Sequence, residues 1–217
     1  MKTDHQIKQD VVAELEWDPA INSSAIGIAV NDGVVTVSGH IDTYAQKRVI
    51  EKALRRVNGV KTIALDLDVS LSQQNQREDT GLALAVQNAL KWNSAVPVDK
   101  IRAAVDNGWV TLAGEVDWNY QRAAAEKAVR PLVGVTGISN DISLSPRPVP
   151  ADVTSSIEGA LKRQAEREAK RVQVDVSGST VTLRGDVRSW PEHTAAVGAA
   201  WSAPGVRKVI DELHVNP

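Results

Sequence analysis

The sequence contains no cysteine and no phenylalanine, and only one methionine. Without cysteine there is no disulfide framework, no thiolate nucleophile and no Cys-ligated zinc. An excess of charge of either sign is also missing. Lys and Arg total 25 against 27 Asp and Glu, a formal net charge of −2, and that balance argues against a dedicated nucleic-acid binder. No apolar run approaches the length of a membrane-spanning helix. The opening stretch MKTDHQIKQDVVAELEWDP has no apolar run after its first basic residue and does not read as a signal peptide. The chain as given is therefore expected in the cytoplasm, or in the periplasm if a leader has been removed. Signatures of chemistry are absent too: there is no Gly-x-Ser-x-Gly elbow, Walker loop or dinucleotide fingerprint. His5, His40, His193 and His214 are scattered, with no i, i+4 pair. The expectation is a non-enzymatic protein with no cofactor and no metal.

What the chain does have is a phrase used three times. VNDGVVTVSG (30–39) returns as VDNGWVTLAG (105–114) and VSGSTVTLRG (176–185). The spacing around it is constant, so that Leu15 corresponds to Leu90 and Leu161, Val35 to Val110 and Val181, and Gly39 to Gly114 and Gly185. Polar SLSQQNQRED and Pro-rich SPRPVPA separate the units. Three modules follow, 1–71, 77–145 and 150–217, each small but within the range that folds alone.

Each unit opens with apolar residues at i, i+4 and i+8: Ile7, Val11, Leu15; Leu82, Val86, Leu90; Val153, Ile157, Leu161. That is one helical stripe. Asp4 and Asp79 stand ready to cap the first turn. Two short alternating strands come next, joined by NDG, DNG or SGS; the last predicts a different turn type. Gly39, Gly114 and Gly185 are expected to close the second strand. A second helix follows, with capping boxes in TYAQ (43–46) and SWPE (189–192), and Asp117 as the cap in the second unit. Gly59, Gly134 and Gly205 fit helix C-caps before a last strand. The fold class is α+β: three tandem αββαβ modules, each a three-stranded sheet with two helices on one face.

DGVVTVSGHIDTYAQKRVIEKALRRVNGVKTIALDL resembles the BON domain, the module named for bacterial osmotic-stress and nodulation proteins. The carrying pattern is Gly–Val–Val–Thr–apolar–x–Gly, followed a helix later by Gly-Val. The resemblance implies a non-enzymatic αββαβ module, often in tandem, in bacterial envelope or stress proteins that bind phospholipid membranes or act as interaction modules. Relatives are typically exported or lipid-anchored, whereas this sequence offers no leader and no lipidation cysteine.

Three readings of function follow. One is weak, peripheral association with anionic phospholipid membranes. Its candidate contact is the basic stretch LKRQAEREAKRV, read as a lengthened first helix of the third unit bearing Lys162, Arg163, Arg167, Lys170 and Arg171; the plain alternative is a solvated helix end. The second is a soluble scaffold with a protein partner. Alternation turns Trp109 and Thr111 to the sheet face away from the helices, and the indole is expected to pack on another module or chain. The third is a potassium or small-ligand binder, as some members of the resembling family are. Trp17 and Trp92, at equivalent helix ends, are read as lids on the core. The oligomeric state is left open by the sequence.

Overall fold

In a computed structural model of the chain, residues 2–164 and 172–216 are described. The chain divides into two compact units, 1–143 and 144–217. The first unit holds two modules: α1 (Asp4–Trp17), β1 (Ile26–Asn31), β2 (Val34–Ile41), α2 (Tyr44–Leu54) and β3 (Thr62–Val69); then α3 (Asp79–Trp92), β4 (Ile101–Asp106), β5 (Trp109–Val116), α4 (Asn119–Val129) and β6 (Gly137–Leu144). The second unit holds the third module: α5 (Val153–Gln164), β7 (Val172–Ser177), β8 (Thr180–Val187), α6 (Trp190–Trp201) and β9 (Lys208–Val215). Every module is thus αββαβ with its own three-stranded sheet, the second strand in the centre. In the first and third modules the hairpin is antiparallel and the last strand runs parallel to the central one. The parallel crossover requires an intervening helix, and α2 and α6 supply it.

The predicted stripes are the buried ones. Ile7, Val11 and Leu15, Leu82, Val86 and Leu90, and Val153, Ile157 and Leu161 are all buried, as are Val35 and Val37, Val110 and Leu112, and Val181 and Leu183 of the central strands. The crossover helices differ in what they contribute. Ile50, Ala53, Leu54 and Val57 in the first module become Ala196, Ala199, Ala200 and Ala203 in the third, all buried. Each missing methylene forgoes about 0.8 kcal/mol of burial. The third module is therefore expected to open first, with β8 amides exchanging at a lower free energy than those of β2. Native-state hydrogen exchange that ranks the two strands the other way would refute this ordering.

Several local expectations are corrected. Asp4 and Asp79 do not cap helices. Thr3 caps α1, accepting from the Gln6 amide while Gln6 accepts from the Thr3 amide. Asp4 instead reaches the hairpin, its two oxygens accepting from the amides of Asp32 (2.8 Å) and Gly33 (3.0 Å). Asp79 does the same for Asn107 (2.7 Å) and Gly108 (2.9 Å). These tight turns project their N–H groups outward, and a carboxylate one helix away satisfies both. Both central residues have positive φ in the first two hairpins, Asp32 and Gly33, then Asn107 and Gly108. In the third only Gly178 does, so its turn is of another type.

The box in TYAQ is not closed by Thr43; Gln46 reaches back to the Asp42 amide. Asp117 is no cap either: its carboxylate pairs with Lys100 at 3.0 Å, and Gln121 takes the amides of Asp117 and Trp118. Gly39, Gly114 and Gly185 lie inside their strands, which continue to Ile41, Val116 and Val187. Gly59, Gly134 and Gly205 are not helix C-caps, because α2, α4 and α6 end earlier with αR caps at Arg55, Arg130 and Ser202. Instead they sit at positive φ in the loops that lead to the last strands.

Candidate functional site

Among the described residues no three His, Asp or Glu side chains converge as a metal site, and no helix is long and apolar enough to cross a membrane. The features that distinguish this molecule are aromatic and lie on its surface.

Trp17 and Trp92 are the largest departures from expectation. They are not lids: their exposures are 84% and 89%. Helical phase explains this. The core stripe of α1 ends at Leu15, and a residue two positions on is rotated by about 200°, onto the far side of the helix. The same phase holds for Leu90 and Trp92. Both indoles therefore stand in solvent at the last residue of a module's first helix. Acidic Glu16 and Asp18 flank the first; Lys91 and Asn93 flank the second.

Trp109 lies, as alternation predicts, on the face away from the helices, with Val110 and Leu112 buried and the indole 49% exposed. Its described contacts are in its own sheet rather than another module. The Nε1–H donates to Ser139 Oγ at 3.0 Å, and the ring lies over Gly137, where an added Cβ would come within 2.3 Å of it. Thr62 and Lys208 occupy the equivalent position in the other modules, so only the second offers a bare seat for an indole. Thr111 is half-buried on the same face.

Of the basic stretch, Arg167, Lys170 and Arg171 lie outside the described residues, as does the side chain of Lys162; Arg163 is exposed in the last turn of α5.

Between the first two modules runs a polar seam. Tyr44 of α2 stands near Glu126 and Arg130 of α4; burial, then the Glu126 carboxylate, pushes its hydroxyl above the usual tyrosine range. Burial likewise holds the Arg122 guanidinium below its usual range. Asn140 of β6 donates to the Arg122 carbonyl (3.1 Å) and to Glu126 (3.2 Å). The seam thus occupies the α4–β6 side of the second module and leaves the β4 side clear of it.

On that other side is a cleft of about 750 Å³ between α3 and β4, lined by Ala83, Leu84, Gln87, Ala103 and Val105 among others. Nothing in the linear pattern marked it; comparison of the repeats would have. Lys8, Gln9 and Ile28 stand in the first module where the second has Ala83, Leu84 and Ala103.

The open sheet face of the third module is charged instead. Arg184 pairs with Glu212 at 2.6 Å and Asp175 at 3.5 Å. On its helix side His193 meets Asp211 at 2.8 Å and packs on Trp190.

Comparison with known proteins agrees with this architecture. The chain is 27% identical to osmotically-inducible protein Y of Escherichia coli strain K12 over 143 residues, covering 64% of this chain and 71% of that protein. Against solved structures, CdsD of the Chlamydia trachomatis type III secretion system is 14% identical with a TM-score of 0.28, covering 98% of this chain and 93% of that one. The PrgH periplasmic domain is 11% identical with a TM-score of 0.23, covering 96% and 100%. Scores that low carry no argument. The BON domain description matches residues 3–70, 78–146 and 151–217. The chain belongs to the BON domain family, with three copies of the domain in tandem.

Proposed function

We propose that this protein is a non-catalytic binding protein that associates reversibly with phospholipid bilayer surfaces, with Trp17 and Trp92 as its interfacial anchors. BON domains are non-catalytic, so the reading concerns binding alone. The observation that carries it is the pair of indoles, 84% and 89% exposed at equivalent helix ends. A large amphipathic ring held in water at no structural benefit to its own module gains most at the headgroup level of a bilayer, where Trp is enriched. Burying such a side chain is worth about 2 kcal/mol, so two anchors give weak, reversible binding. Lys91 beside Trp92 favours an anionic surface, and the basic residues from 162 to 171 add to that attraction, about 1 kcal/mol for each near the membrane. The similarity to an osmotically inducible protein supports a role under osmotic stress.

Vesicle co-sedimentation tests this. The parent is expected to bind anionic vesicles, more weakly as salt is raised. Trp92→Ala should weaken binding about tenfold or more, and Trp17→Ala with Trp92→Ala should abolish it. Changing Arg163, Arg167, Lys170 and Arg171 to Gln should reduce the salt dependence. If the double tryptophan variant sediments with vesicles as the parent does, these anchors are wrong. If the parent fails to bind at low salt, the membrane reading goes with them.

A further inference from the structure

We infer that the β4 edge of the second module is a self-association surface, at which two copies of the chain pair β4 antiparallel about a twofold axis. The inference is independent of the membrane reading and uses different residues.

The first ground is the cleft. In the first module the corresponding α1 face carries a smaller cleft, about 430 Å³, and Ile28 packs on the core. In the third, Val174 does so. Ala103 in the second module is too small to fill its cleft and is exposed. Beside it Leu84 is 59% exposed, on a helix face that carries Lys8 and Gln9 in the first module and Thr154 and Ser155 in the third. Three changes, all toward small or apolar residues, fall on one patch of one module.

The second ground is the backbone. β4 is an edge strand. Asp106 faces Trp109 across a two-residue turn, Ala104 faces Thr111 and Arg102 faces Ala113. In such a hairpin these residues direct their N–H and C=O groups to the partner strand, and the alternate residues Ala103 and Val105 direct theirs outward. Free strand groups beside an apolar cleft call for an extended chain, which satisfies both, rather than for a helix or an acyl chain.

The third ground is charge, and it selects a second copy as the occupant. With Ala104 opposite Ala104 of the other copy, Ala103 lies opposite Val105, and the outward groups of these two meet across the axis. Val105 then projects toward the space that Ala103 leaves. On the open face Arg102 lies opposite Asp106, twice. Arg102 has no ion-pair partner among the described residues, and Asp106 is held only by the Asn107 side-chain amide. The corresponding pairs would be Gly27 with Asn31 in the first module and Gln173 with Ser177 in the third, both uncharged. Opposite charges directly across an antiparallel pair stabilise that register. Within its sheet β4 pairs with β5 alone, so its outer edge stays open.

Sedimentation velocity on the full chain tests the inference. The parent is expected to form a dimer in the micromolar range. Arg102→Asp and Asp106→Arg singly should each weaken it at least tenfold, and the two together should restore it, because each swapped residue meets its opposite on the other copy. Ala83→Lys with Leu84→Gln places the first module's residues on the same helix face, which that module folds with, and should leave a monomer. Circular dichroism checks that each variant keeps its secondary structure. A parent that stays monomeric throughout, or single charge variants that dimerise as the parent does, would overturn the proposal. So would a folded double variant that fails to recover.

Discussion

Replacing Gly39 by valine is expected to unfold the first module at temperatures the parent tolerates. Gly39 has φ of +131°, in a region that residues with a Cβ rarely adopt. An added Cβ would lie 2.1 Å from the Ala25 carbonyl oxygen, a backbone atom fixed where β1 begins. No rotamer relieves that contact, so the β1–β2 pairing must open or shift. Backbone strain and overpacking each cost about 1–3 kcal/mol, and together they take most of what holds a module of this size. Gly114 is held in the same way, at φ of +141° with the Lys100 carbonyl oxygen 2.1 Å from an added Cβ. Gly81, inside α3, is the control: nothing lies within 4 Å of its added Cβ. Gly81→Ala should therefore stabilise by about 0.4–1 kcal/mol. Thermal unfolding of the three proteins decides the matter. Parent-like melting of Gly39→Val would mean that the strand register is not as described.

Asp79→Ala should cost about 2 kcal/mol, a large effect for a half-exposed polar side chain. One carboxylate takes two turn amides, Asn107 and Gly108, and hydrogen bonds to a charged group are worth about 1.5–3 kcal/mol each before solvent competes for the exposed one. Removing it leaves the amide of Gly108, a buried residue, without its acceptor, and it loosens α3 from the β4–β5 turn. Asp79→Asn keeps one acceptor and should fall between. The third module shows what the absence looks like: Pro150 stands at the corresponding position. The amides of Asn107 and Gly108 should exchange faster in Asp79→Ala. Unchanged exchange there, with unchanged stability, would show that the clasp contributes nothing.

The sequence by itself determined the modules, the order of their elements and the faces they bury. These follow from short-range regularities: apolar residues at i, i+4 and i+8 can be buried only as one helical stripe, and strict alternation around Val35, Val110 and Val181 can be buried only as one face of a strand. Repetition then made each module a control for the other two. The tertiary structure decided where polar groups and glycines do their work, because their partners are distant in sequence. Asp79 looked like a cap and proved to be a clasp, since the hairpin amides come to it only after the sheet has formed. Gly39 looked like a strand exit and proved to be a contact point with the preceding 3₁₀ turn. The surface depended on angles that spacing alone fixes but that equivalence obscured: Trp17 and Trp92 repeat as core residues do, yet their helical phase carries them to solvent. The α3–β4 cleft is lined jointly by Ala103, a small residue in an otherwise ordinary strand, and by Ala83 and Leu84 of the helix. A void is a property of two elements together, and neither one shows it alone.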